Sequence, residues 1–181
     1  LRAIALALIE KGRVVFGALA CPRMALGSGK GVLMLARRDR GVVQMPLWPA
    51  SASADTAQPV RVSPSADPAD AVFCESYEPG HSDQTASARI AARLGLRRSP
   101  LRMDGQAKYA AVARGDAMVY MRLPTQADYR ENIWDHAAGA IVVAEAGGRV
   151  TDVRGEPLDF SCGPRLERNS GIIASNGAVH G

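Results

Sequence analysis

An aspartate at the opening of a helical stretch, followed by small residues, can do phosphate chemistry. This chain has one at Asp135, in the run Ile133-Trp134-Asp135-His136-Ala137-Ala138-Gly139. A helix N-terminus offers unpaired N–H groups and about half a positive charge, which suits phosphate oxygens. The carboxylate beside it can hold a hard cation such as Mg²⁺. Small residues at 137–139 let a ligand come close to the backbone, and Trp134 can bury beside the aspartate. Cation and phosphate could meet there. The plainer use of an aspartate in that place is as a helix cap, and spacing alone favours capping.

Other chemistries are excluded more readily. Gly27-Ser28-Gly29-Lys30-Gly31 invites a phosphate-loop reading, but Met24 stands where the first glycine of GxxxxGK[ST] belongs and Gly31 follows the lysine. Cys21, Cys74 and Cys162 are far apart and show no CxxC spacing, so neither a zinc site nor a disulfide framework is expected, and a cytoplasmic, reducing setting is. The formal charge is +4, but 19 Arg and 3 Lys are spread along the chain and aromatics make up only 5%. No basic stripe with stacking rings results, so no nucleic-acid partner is expected, while an anionic small molecule suits the charge. The apolar run Leu1 to Ile9 is interrupted by Glu10-Lys11-Gly12 and falls short of a membrane span, which needs about 20 apolar residues. It reads as a strand, and no membrane partner is expected.

The elements that must position Asp135 follow from periodicity and turn residues. Ala3 to Ile9 and Arg13 to Cys21 form a hairpin around Glu-Lys-Gly, and Val32 to Arg37 with Val42 to Met45 form a second, the glycine cluster between them being a loop. Pro46 to Asp70 is rich in Pro, Ser, Ala and Asp, broken by Val60 to Val62, and marks a domain boundary. Then come a short strand at Ala71 to Glu75, a helix from a Ser82 cap to Leu94 with Gly95 as its stop, and a turn at Met103. A short helix follows at Gln106 to Arg114, then a strand at Ala117 to Leu123. A helix at Asp135 to Ala146 stopped by Gly147-Gly148, a strand at Arg149 to Val153 and a last strand at Gly171 to Ser175 complete the pattern. An apolar strand at the first residue, without an initiator Met, suggests a chain that begins inside a domain.

Trp-Asp-His-Ala-Ala-Gly at 134–139, Glu145-Ala-Gly-Gly, Thr151-Asp152 and Pro157-Leu158-Asp159-Phe160 together resemble the C-terminal signature of the inositol monophosphatase-like superfamily. Gly80 to Gln84, Met103-Asp104-Gly105-Gln106-Ala107-Lys108-Tyr109, Tyr120 to Pro124 and Gly171 to Ser175 resemble its branch of 3′(2′),5′-bisphosphate nucleotidases. The resemblance implies a lithium-sensitive, Mg²⁺-dependent phosphatase of sulfur metabolism, removing the 3′-phosphate of adenosine 3′,5′-bisphosphate and sometimes of its sulfated form. By the same resemblance Asp135 is a metal ligand that also touches the substrate. Lys108 and Arg122 hold the 5′-phosphate, and His81 contacts the base or sugar. Without the resemblance, Lys108 reads as an exposed helix lysine, Arg122 as a strand-edge charge and His81 as a loop histidine near a cap.

Three departures qualify that resemblance. The family's other metal ligands come from an upstream glutamate and an Asp-Pro-Ile-Asp-Gly-Thr motif, and neither occurs here. A spacer that includes Gly-x-Gln-Tyr is missing before Ala3, and Gly105 stands where the nucleotidases carry serine. A multi-ion site needs several carboxylates, so this polypeptide alone is expected to be inactive or nearly so. The expected fold is α/β and layered, sugar-phosphatase-like, with residues 1–65 a remnant of an N-terminal antiparallel-sheet domain and 66–181 a C-terminal α/β domain. The rival readings are an inositol phosphate phosphatase of the same superfamily and a non-catalytic assembly module. The second is favoured by exposed strand edges at residues 3–21 that invite self-association.

Overall fold

The computed structural model describes residues 3–48, 54–77, 84–126 and 128–180. Strands β1 (Ile4–Glu10) and β2 (Arg13–Leu26) join through Lys11 and Gly12, whose φ values of 50° and 75° give the two-residue turn that matches strand twist. At Gly12 a Cβ would stand 2.6 Å from the Ser161 Cβ, so space as well as conformation requires glycine. Strands β3 (Gly29–Arg37), β4 (Gly41–Pro46) and β5 (Gln58–Pro59) complete an antiparallel sheet in the order β1-β2-β3-β4-β5. The sequence predicts an end to β2 at Cys21 and a loop over the glycine cluster. Instead β2 continues past a register shift between Cys21 and Ala25, and Gly29 and Lys30 pair with Leu26 and Ala25. Pro22-Arg23 breaks the apolar alternation as a bulge does, without ending the strand.

The second sheet is mixed. Strands β6 (Phe73–Glu75), β7 (Leu101–Arg102), β8 (Val119–Arg122), β9 (Arg149–Thr151) and β10 (Ile172–Ser175) stand in the order β7-β6-β8-β10-β9. Strand β6 runs parallel to β7 and β8, and β10 antiparallel to β8 and β9. The helices are α1 (Gln84–Arg93), α2 (Ala107–Ala113) and α3 (Ala137–Glu145). One buried core joins Leu19, Val32 and Met34 of the first sheet to Val112 of α2, Ile141 to Val143 of α3, and Tyr120 and Ile172 of the second sheet. Helices α2 and α3 therefore lie between the sheets. Alternation along β8 turns Val119 and Met121 to the other face, where they cluster with Phe73 and with Ile90 and Ala91 of α1. The layers run sheet, helix pair, sheet, helix, the α/β architecture expected.

Helix α3 is apolar all round because it is covered on both sides; Ala137 to Val143 are all buried. Its small residues permit close packing. A Cβ on Gly17 of β2 would stand 2.5 Å from Ile141 Cγ2, and one on Gly139 would stand 2.2 Å from the Tyr109 ring of α2. The run at 137–139 thus serves contact with a strand and a helix, where the sequence suggested ligand approach. At the far end of α3, Glu145 accepts from the backbone N–H groups of Asp39 (3.0 Å) and Gly41 (2.9 Å), pinning the β3–β4 turn to the helix. Gly147 (φ 91°) then stops the helix, with Gly148 N–H reaching back to Val143 O at 2.9 Å. Strand β1 is the edge of its sheet and leaves Ile4, Leu6 and Leu8 exposed. Among the described residues no helix is long and apolar enough to cross a membrane.

Candidate active site

Asp135 does not lie in the first turn of α3. Ile133–Asp135 forms a separate 3-10 turn, and His136, with φ −134°, breaks the backbone before the helix begins at Ala137. The Asp135 carboxylate is exposed, accepts one hydrogen bond from Asn132 Nδ2 at 3.2 Å, and makes no cap to α3. The capping use favoured by spacing alone is therefore not what the structure adopts. Trp134 is 60% exposed instead of buried beside the aspartate. What holds the turn is Gln106, just before α2, which donates from Nε2 to Trp134 O (2.8 Å) and accepts at Oε1 from Gly139 N–H (2.8 Å).

Lys108 is buried, at 3% exposure, not an exposed helix lysine. Its Nζ donates to Ser76 Oγ at 2.9 Å and lies 5.1 Å from the centroid of the Tyr120 ring. Burial pushes its pKa below the ordinary lysine value; Arg122 acts in the same direction, while Cys74 and Asp104 oppose it.

Arg122 ends β8 on the face that carries Tyr120, and its Nε donates to Glu131 Oε1 at 2.7 Å. The second oxygen of Glu131 accepts from His136 Nε2 at 3.1 Å, and His136 Nδ1 lies 2.7 Å from the Tyr109 hydroxyl. Tyr109 in turn meets Tyr120 edge-on, ring centroids 5.1 Å apart. Burial alone would raise Glu131, but hydrogen bonds and charge from His136 and Arg122 outweigh it and hold the carboxyl below its usual range. Burial also raises the Tyr109 phenol well above its ordinary value, and the charges of Tyr120, Glu131 and Asp135 add to this. The phenol therefore keeps its proton and shares a hydrogen bond with Nδ1, and the ionised carboxylate, which can only accept, takes Nε2–H.

One connected set of contacts therefore brings together Lys108, Arg122 and the turn that bears Asp135. His81, the remaining candidate, lies outside the described residues. Sequence reasoning gave no role to Gln106, Tyr109, Glu131 or His136. Three of these stood inside the motifs already singled out, and only Glu131 carried no signal beyond being four residues from Asp135. At Gly105 the backbone is left-handed (φ 66°), and an added Cβ would rest 3.6 Å from Ala3 N, so space for a serine exists there but its conformation would be strained.

Mg²⁺ takes one or two carboxylates and retains waters, and the exposed Asp135 carboxylate fits one such ligand. Among the described residues, no group of three or more His, Cys, Asp or Glu side chains could hold a metal, so these residues do not by themselves assemble a multi-ion cluster.

The chain belongs to the inositol monophosphatase family, whose model matches residues 2–181. Among curated proteins, it is 42% identical over 193 residues to the 3′(2′),5′-bisphosphate nucleotidase of Emericella nidulans, covering 98% of this chain and 54% of that protein. It is 46% identical over 180 residues to the enzyme of the same name from Oryza sativa, covering 96% of this chain and 50% of that protein. The chain spans about half the length of these curated relatives. Among solved structures, the Thermotoga maritima IMPase superposes with a TM-score of 0.69 at 25% identity, over 98% of this chain and 57% of that one. CysQ from Bacteroides thetaiotaomicron, at 19% identity, shares the fold with a TM-score of 0.70 over 96% of this chain and 62% of that one.

Proposed function

We propose that the protein is a Mg²⁺-dependent phosphomonoesterase that removes the 3′-phosphate of adenosine 3′,5′-bisphosphate, and of the sulfated form of that nucleotide. The observation that carries this reading is the pairing, through one buried network, of an exposed carboxylate at Asp135 with two neighbouring cations, Lys108 and Arg122. Asp135 would hold Mg²⁺ on the side of the 3′-phosphate's chemistry, Lys108 and Arg122 would hold the 5′-phosphate, and His81 would meet the base or sugar. Arg suits a phosphate because its planar fork gives parallel N–H bonds, and Lys adds a compact charge. When bound, Mg²⁺ supplies charge neutralisation and an acidified water. Water adds to phosphorus, the ester P–O bond breaks, and the 3′-hydroxyl and inorganic phosphate are released. The names of the relatives support a nucleotide substrate.

The test is phosphate release by the whole gene product from adenosine 3′,5′-bisphosphate and from inositol 1-phosphate. Hydrolysis of the nucleotide, abolished by EDTA and inhibited by Li⁺, is expected, with the inositol ester turned over far more slowly. Equal turnover of both esters, or turnover that survives chelation, would overturn the reading. The 181-residue chain assayed alone is expected to release negligible phosphate.

A further inference from the structure

Glu131 has a place in the network that no motif accounts for. It is 3% exposed and uses both carboxylate oxygens, one on Arg122 Nε at 2.7 Å and one on His136 Nε2 at 3.1 Å. Its backbone is anchored independently: Leu166 N–H donates to Glu131 O at 2.9 Å, and Ile133 N–H to Pro164 O at 3.0 Å. The carboxylate thus hangs from a fixed strap between β8 and the Asp135 turn. It holds the guanidinium by its Nε edge, while the Arg122 side chain remains 22% exposed.

We propose that Glu131 is a positioning residue: it fixes the Arg122 guanidinium for an anionic group of the ligand and, through His136 and Tyr109, ties that cation to the turn bearing Asp135. The inference rests on the reading of Arg122 as a phosphate-binding residue. A guanidinium held on one edge loses less rotamer freedom when a phosphate arrives than one that must be ordered at that moment. Carboxylate and guanidinium also satisfy each other's charge where neither could be buried alone. Substitution by Gln keeps the shape but not the pairing. Its amide has one acceptor oxygen and one NH₂ group, and both neighbours, Arg122 Nε–H and His136 Nε2–H, are donors, so one contact becomes donor against donor.

The experiment is calorimetric titration of the whole gene product with adenosine 3′,5′-bisphosphate and with adenosine 3′-monophosphate, which lacks the second anion. It uses the wild type, Glu131→Gln, Arg122→Ala and the double variant. The expected result is a loss of about ten-fold in affinity for the bisphosphate in Glu131→Gln, a change within about two-fold for the monophosphate, and no further loss on adding Glu131→Gln to Arg122→Ala. Equal weakening of both ligands, no weakening of either, or a full additional loss in the double variant would overturn the positioning role. If Arg122→Ala itself leaves bisphosphate affinity unchanged, the assignment of Arg122 fails instead. Where Glu131→Gln melts below the titration temperature, Glu131→Asp, which keeps the charge and withdraws it by one methylene, is read by the same criteria.

Discussion

Replacing Tyr109 with Phe removes one hydroxyl and leaves the packing of the ring intact. The oxygen lies 2.7 Å from His136 Nδ1, and both residues are 1% exposed, so solvent has no route to replace the lost partner. A buried ring nitrogen left without its partner costs about 1–3 kcal/mol. The edge-on contact with Tyr120 at 5.1 Å and the tight contact with Gly139 are unaffected, so no loss of apolar burial adds to this. For a chain of 181 residues each kcal/mol lowers the melting temperature by about 2–4 °C, which places the whole shift at about 2–12 °C. The assay is a calorimetric or circular-dichroism melt at neutral pH, with Tyr77→Phe, at an exposed tyrosine, as the control expected to move by less than about 1 °C. A Tyr109→Phe protein melting with the control would refute a stabilising hydrogen bond between Tyr109 and His136.

Gly139→Ala is expected to destabilise the protein by at least about 1–3 kcal/mol, since the new methyl overlaps the Tyr109 ring; a melt within error of wild type would mean the helices separate freely. Asp135→Asn in the whole gene product is expected to leave stability within about 0.5 kcal/mol, because the carboxylate is exposed and makes one hydrogen bond. The same change is expected to lower phosphate release by about 100-fold or more, and activity near wild type would remove Asp135 from the metal site. The pH dependence of stability follows from Glu131. Its folded pKa is depressed, so its contribution is present above the ordinary carboxylate pKa and is lost as pH falls through the folded value. Melts recorded from neutral to acid pH should therefore decline less steeply in Glu131→Gln than in wild type; parallel declines would contradict the coupling.

The layered α/β fold was legible because turn residues and apolar period act locally. Lys11-Gly12 sets the first hairpin, and glycines close the helices at 95, 115 and 147, all in left-handed conformations. Local pattern fails where long-range contact overrides it. Pro22-Arg23 breaks the alternation of β2, but pairing with β3 carries the strand on to Leu26. Lys108 reads as a surface residue from its type alone, and the Ser76 hydroxyl and the Tyr120 ring, 32 and 12 positions away, together with Met103 O, make its burial tolerable.

Asp135 illustrates the same limit at the site itself. A carboxylate before a helix and a run of small residues after it suggested a ligand-facing helix end, and each half of that pattern has a different cause. The small residues answer to β2 and Tyr109, which press on α3 from two sides. The carboxylate is exposed because His136, turning inward to Glu131 and Tyr109, breaks the backbone between the Asp135 turn and the helix. An aspartate continuous with α3 would have spent its oxygens on the helix N–H groups. The buried histidine thus leaves the aspartate uncapped and faces a glutamate that grips Arg122. The order Glu131, Asp135, His136 therefore ties the Arg122 cation to the turn that bears an exposed carboxylate, a relation no spacing rule expresses because it passes through side chains from three elements.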